Sequence, residues 1–448
     1  MSNSPEAPVT RQHVASFTHP SSFREFLSTY GPRFALCLLG VVTLRLWIQC
    51  DLYDRYSSTD FGAITVMGTF VRVAAMLLII MIGGRAGLST RAQRVMDVLS
   101  CVLMTMASAL YLLQYSFPGA PLSLPASLLA SLGIAWAGVM WIRVFVRMEP
   151  GEAFLYSFVC IALSAVLGFV LGLMDGSMAY AFCIFLPLCS YLTCVQAHKT
   201  LDALDGPRDE SRPDRHAATL VGEQGEGAVR MRDFVLPLAG LALLNLALGL
   251  SRGFPDGSSI SLPVEMQLVH QLGTALLALS YVWMVLVLGR RLTRVLFWGV
   301  PAAVMALGVV LVVTGTPDVI PLGGAFITIS NSLFIGVLWY TAYELSRHSD
   351  VVPYAVFGVV WIAHLLPREA GRLMVFGLGP AVAATDSEVF LVLTITLLLA
   401  AGIALLLSDA GMGGVVLFPE LRQRAAKPAS AAAADPATAA PAPELATA

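Results

Sequence analysis

The sequence predicts an all-α polytopic membrane protein with twelve transmembrane helices in two six-helix halves. Three observations predict it. Residues of the AVILMFWYC set make up 57% of the 448-residue chain and charged residues only 12%, against roughly 25% charged in soluble domains. The apolar residues gather into twelve runs long enough to cross a bilayer, which takes about 20 residues per helix. One polar interval, Lys199–Arg232, divides these runs six and six.

The N-terminal segment 1–33 is polar and holds Pro5, Pro8, Pro20 and Pro32. The apolar run behind it is long enough to stay as an anchor, so no cleaved signal peptide is expected. Spans of the first half (34–196) fall at 34–50, 64–82, 96–115, 123–146, 153–173 and 178–196. The central loop 197–232 carries six Lys or Arg and too little apolar periodicity to bury a core of its own. Spans of the second half (233–408) fall at 233–251, 263–288, 295–314, 319–344, 353–380 and 387–408, the eleventh interrupted by Pro367, Arg368, Glu369 and Arg372. In the tail 409–448, Pro428, Pro436, Pro441 and Pro443 break an alanine-rich stretch, which reads as a disordered linker.

Charge placement sets the orientation. With the N-terminus in the cytoplasm, 21 of the 27 Lys and Arg fall in cytoplasmic segments and only Arg55 and Arg252 in external loops. This positive-inside bias puts both termini and the central loop in the cytoplasm. An internal repeat supports two related halves. Gly84-Arg85-Ala86-Gly87-Leu88-Ser89-Thr90-Arg91 follows the second span, and Gly289-Arg290-Arg291-Leu292-Thr293-Arg294 follows the eighth, its counterpart. Such a repeat fits bundles related by an axis along the membrane normal.

Four arginines, Arg45, Arg72, Arg368 and Arg372, fall inside spans. Ionisable groups there are costly and face a bundle interior, which makes each a candidate site residue. His364, Arg368 and Arg372 stand at i, i+4 and i+8 on one helical stripe. Glu369 is placed to pair with Arg372, and Pro367 is expected to kink the helix. Arg45 lies near the outer end of the first span, and Arg72 about 13 Å below the outer start of the second at 1.5 Å per residue. Glu265 and His270 belong to the outer half of the eighth. Two readings follow. In one, Arg45, Arg72, Glu265, His270, His364, Arg368, Glu369 and Arg372 surround an outward-facing cavity for a small anionic molecule, with Arg72, Arg368 and Arg372 as bidentate carboxylate partners. In the other, they form a closed ion-pair network that ties the halves together. The excess of Arg over Glu favours the ligand.

Other polar residues have plainer explanations. Asn245 and Asn331 suit interhelical hydrogen bonds, and Gly168-x-x-x-Gly172 suits close helix packing. Asp97, Arg143 and Glu344 are expected to reach the interface, and the tryptophans to anchor and pack. The seven cysteines lie in or beside apolar runs without a C-x-x-C pair, as small packing residues rather than a disulfide frame or metal site. The chain has no H-E-x-x-H, G-x-S-x-G, P-loop or intramembrane aspartate pair, so neither enzymatic activity nor a cofactor is expected. The expected partners are the lipid bilayer and a small anion.

Over 34–408 the architecture resembles the major facilitator superfamily, whose loop after the second span usually carries G-x-x-x-D-R-x-G-R-R. Here Gly83-Gly84-Arg85-Ala86-Gly87 has the glycines and arginine without the aspartate. A second resemblance rests on Leu250-Ser251-Arg252-Gly253-Phe254, His270-Gln271-Leu272-Gly273 and Gly371-Arg372-Leu373-Met374. These stretches, and the linker-like tail, resemble the membrane-anchored LuxR-type helix-turn-helix regulators of anaerobic actinobacteria. That resemblance implies a bacterial inner-membrane sensor region that responds to an anion by shifting the packing of its halves. Nothing after Phe418 resembles a helix-turn-helix, so nucleic-acid binding is carried over to no residue of this chain. The facilitator resemblance implies the alternative, a transporter of a small organic anion.

Overall fold

The computed structural model describes residues 34–52, 62–83, 88–148, 150–205, 235–254, 262–287, 294–348, 351–382 and 387–411. The segment 1–33, residues 206–232 of the central loop and most of the tail lie outside the described residues. Among the described residues there is no strand, and helices stand at all twelve predicted places. In the first half these are α1 (Val41–Trp47), extended by a 3-10 turn at Leu36–Leu39 and a π turn at Ile48–Leu52, then α2 (Gly62–Gly83), α3 (Thr90–Ser116), α4 (Ser123–Phe145) and α5 (Pro150–Gly172). The sixth place is filled by two pieces, α6 (Gly176–Cys183) and α7 (Leu186–Asp205). The second half comprises α8 (Val235–Gly253), α9 (Val264–Val282) with a π turn at Trp283–Val287, α10 (Arg294–Thr314), α11 (Ile320–His348), α12 (Pro353–Val382) and α13 (Ser387–Gly411).

Helix is the form such apolar runs must take in lipid, because it satisfies every backbone donor and acceptor within the segment. Among the described residues, eight helices are long and apolar enough to cross a membrane, and three shorter apolar ones accompany them. The eleventh place, α12, belongs to neither group because its middle carries Arg368, Glu369 and Arg372. The outer faces are greasy: Leu78, Met81 and Ile82 on α2, and Val392, Leu399 and Ile403 on α13, are exposed. Patches of this kind are rare on water-facing surfaces and cost nothing against acyl chains. The largest boundary shift is at the sixth span. Lys199–Asp205, read as the start of the central loop, continue α7, where Ala197 and Leu201 remain buried and hold the extra turn against its neighbours.

The two halves repeat one packing pattern. In the first, α3 packs on α4, α2 on α4, α1 on α5 and α7, and α3 on α6. In the second, α10 packs on α11, α9 on α11, α8 on α12 and α13, and α10 on α13. Each pair maps onto its counterpart six spans later. The broadest contacts between halves, α5 with α9 and α2 with α12, also exchange under that mapping. The repeat read weakly from two arginine-rich turns is thus present in the helix packing.

The α8–α12 crossing is the tightest place in the second half. A Cβ on Gly249 would collide with the Arg368 carbonyl, one on Gly371 with the Leu246 carbonyl, and one on Gly253 would press on Arg372. These glycines bring the backbones together without side chains between them, as small residues do at membrane helix interfaces. They also account for two of the three stretches that resemble the regulators. Gly249→Ala is therefore expected to cost ~1–3 kcal/mol through overpacking, read as thermal unfolding in detergent. Gly377→Ala on the same α12, where an added Cβ meets nothing within 4 Å, should leave the melting temperature unchanged.

Candidate functional site

A cavity of about 380 Å³ lies between the two halves. Its charged and polar lining comes from α1 and its π turn (Arg45, Gln49), α2 (Arg72), α8 (Arg252), α9 (Gln267, His270, Gln271), α11 (Thr328, Asn331, Ser332) and α12 (His364). Among the described lining residues there is no Asp or Glu. At one end stands a layer of rings. Trp339 lies 5.4 Å from Phe145 and 5.2 Å from Phe357, and Phe357 stacks on Trp361 at 4.7 Å. Gly138 of α4 makes this possible, since any side chain there would run into the Phe357 ring. Beyond the rings, two hydrogen bonds join the halves: the Tyr343 hydroxyl donates to the Met148 carbonyl at 3.1 Å, and the Tyr354 hydroxyl to the Gly83 carbonyl.

The eight sequence-predicted residues divide into three groups. Arg45, Arg72, His270 and His364 line the cavity, and all are buried. Arg368 and Glu369, both buried, and the half-buried Arg372 lie outside it and pair with one another, Arg368 to Glu369 at 3.1 Å and Arg372 to Glu369 at 3.8 Å. Roles for Arg368 and Arg372 as ligand partners in this cavity are therefore not what the geometry offers. The reason is helical drift. Each four-residue step advances about 40° beyond a full turn, so the stripe that begins at His364 on the cavity has rotated towards α8 by Arg368. Glu265 stands apart, exposed in the first turn of α9, where a carboxylate complements the helix dipole.

Hydrogen bonds fix His364. Asn245 Nδ2 donates to the Leu241 carbonyl at 2.8 Å, which turns its Oδ1 towards His364 Nδ1 at 2.6 Å. An amide oxygen only accepts, so His364 carries a proton on Nδ1. His270 Nε2 lies 3.3 Å from the Ser332 hydroxyl, joining α9 to α11. Gly168 of α5 leaves room for two amides at once, since an added Cβ would strike Gln49 Oε1 and lie 3.5 Å from Gln271 Nε2. Two buried amide oxygens on the cavity, Gln49 Oε1 and Asn331 Oδ1, have no hydrogen-bond partner.

Several lining residues escaped the sequence reading. Arg252, expected in an external loop, belongs to α8, which runs two residues past the expected end to Gly253 and carries Arg252 in its last turn. Asn331 was read as an interhelical hydrogen-bonding group and instead presents an unbonded oxygen at the cavity. Trp339 and Trp361 line the cavity in addition to packing. Away from the site, Arg143 and Asp97 pair at 2.5 Å, with the Trp136 indole donating to Asp97 at 2.7 Å. Glu344 is buried and accepts from the Tyr340 hydroxyl at 2.5 Å, rather than reaching the interface.

Fold and site together define a polytopic helical membrane protein whose halves enclose a small cavity rich in guanidinium groups. No protein-family model matches the sequence, and no curated protein matches it. Solved structures to which the chain is similar include a bacterial homologue of the iron transporter ferroportin, at 13% identity and TM-score 0.49, covering 84% of this chain and 97% of that one. The POT family transporter PepTSo is similar at 14% identity and TM-score 0.48, covering 84% and 96%. The E. coli fucose:proton symporter FucP is similar at 11% identity and TM-score 0.44, covering 86% and 99%.

The ion-pair cluster and the cavity make separable demands. Glu369→Gln removes the buried carboxylate shared by Arg368 and Arg372 and should cost ~3–5 kcal/mol, as breaking a buried pair does. Arg372→Gln leaves the Arg368–Glu369 pair in place and should cost clearly less. Denaturant or thermal unfolding in detergent compares the two.

Proposed function

We propose that this chain is a facilitator-type transporter of a small organic anion, taken up in the cavity between its halves. The observation that carries this reading is the convergence of Arg45, Arg72 and Arg252 on one cavity. Each guanidinium has five N–H donors in a planar fork, and the fork matches a carboxylate in a bidentate way. Arg45 and Arg72 come from the first half and Arg252 from the second. A bound anion therefore bridges the halves, and its binding energy bears on how they pack, which is what coupling a ligand to a conformational equilibrium requires. The charge bias of the loops supports an orientation in which the ring layer lies towards the cytoplasm and Arg252 towards the outside.

The second reading is the LuxR-like sensor, in which the same anion shifts the packing without being carried across. It rests on the sequence resemblance alone, to which no matching family model or curated protein adds support. Two of the stretches behind that resemblance lie at the α8–α12 crossing, where close packing already explains them, so the transporter takes precedence.

Uptake of labelled lactate, succinate and gluconate into proteoliposomes tests the choice. The transporter reading expects saturable, protein-dependent accumulation of at least one of them. Arg72→Gln should slow it at least about tenfold through loss of charge-assisted hydrogen bonds. Saturable binding without flux selects the sensor. Neither binding nor flux overturns both.

A further inference from the structure

We infer that the anion is hydroxylated: the cavity is built for a small hydroxy carboxylate, in preference to an apolar acid or an amino acid. The inference rests on the anion reading above and goes beyond it to the rest of the ligand. Its starting point is the pair of amide oxygens, Gln49 Oε1 and Asn331 Oδ1, which are buried on the cavity without a hydrogen-bond partner. Buried polar atoms are almost always satisfied, and exceptions in a cavity mark where a ligand or water bonds. Asn331 is only 6% exposed, so its partner must enter the cavity itself. Gln49 belongs to the first half and Asn331 to the second, and Gly168 keeps the backbone of α5 clear of the Gln49 amide.

The chemistry of the partner follows from its surroundings. An amide oxygen asks for a donor, and the two common donors on a small acid are hydroxyl and ammonium groups. Arg45, Arg72 and Arg252 share this space, and no Asp or Glu is among the described lining residues. An ammonium group would meet like charges, whereas a hydroxyl carries no charge. A hydroxyl also suits either orientation of an amide, since it donates to the oxygen and accepts from the nitrogen. An alkyl chain does neither. Where water fills these positions in the empty cavity, a hydroxyl reproduces its bonds and an alkyl group forfeits them. The volume of about 380 Å³ is near the lower end for ligand pockets, which run roughly 300–1,000 Å³, and so suits a small acid.

A matched six-carbon series tests this on the purified full-length protein in detergent, by calorimetry or thermal shift: gluconate, hexanoate, sorbitol and 6-aminohexanoate. Gluconate should bind at least about tenfold tighter than hexanoate, as two hydrogen bonds allow, and tighter than sorbitol or 6-aminohexanoate. Asn331→Leu should collapse the gluconate-to-hexanoate ratio towards one, and Gln49→Leu provides the same readout should the first variant fail to fold. Hexanoate binding as tightly as gluconate overturns the hydroxyl inference and leaves the anion reading standing. An equal response to 6-aminohexanoate overturns the exclusion of amino acids. Sorbitol matching gluconate, with Arg72→Gln without effect, overturns the anion reading itself. Absence of saturable gluconate binding also overturns the inference.

Discussion

A guanidinium group cannot be left in hydrocarbon, and the arrangement of this protein follows from how each intramembrane arginine is accommodated. Two solutions stand side by side. Arg368 and Arg372 share the carboxylate of Glu369 against the backbone of α8. Arg45, Arg72 and Arg252 gather around a cavity between the halves. The first solution explains why the α8–α12 crossing is glycine-lined: a helix with charge in its middle has to be enclosed by protein there. The second puts positive charge where both halves can share a ligand.

The position of the cavity gives the duplication its functional meaning. The halves meet most broadly along two related contacts, α5 with α9 and α2 with α12, which flank the central space. At one end that space is bounded by Phe145, Trp339, Phe357 and Trp361 and by the hydrogen bonds from Tyr343 and Tyr354. Two of these contacts set a ring against a glycine, Phe357 on Gly138 and Tyr354 on Gly83. A change in the relative packing of the halves would be borne there first, while the apolar outer faces stay matched to lipid throughout.

Much of this was legible in the sequence, and the remainder fails for identifiable reasons. Span positions were readable because bilayer thickness imposes a length that apolar runs must meet. The convergence of Arg45, Arg72, His270 and His364 was readable because depth follows from topology. Azimuth does not. Glu265 is exposed in the first turn of α9, and the i, i+4, i+8 stripe of α12 rotates off the cavity before Arg368. Arg252 escapes the sequence reading because two extra helical residues convert a loop residue into a lining residue. Asn331 was missed because an amide within a span looks the same whether it bonds a neighbouring helix or a ligand. Gly168 carries a packing motif in the sequence, and only the structure reveals that it serves two amide side chains.

The most direct measurement is anomalous diffraction from crystals grown with bromide, a monatomic anion that reports positive potential without any assumption about ligand shape. The account predicts a bromide peak inside the cavity within reach of Arg45, Arg72 or Arg252. A cavity that stays empty of bromide while exposed cationic loops bind it, or those three side chains turned into lipid with no common chamber, would contradict it.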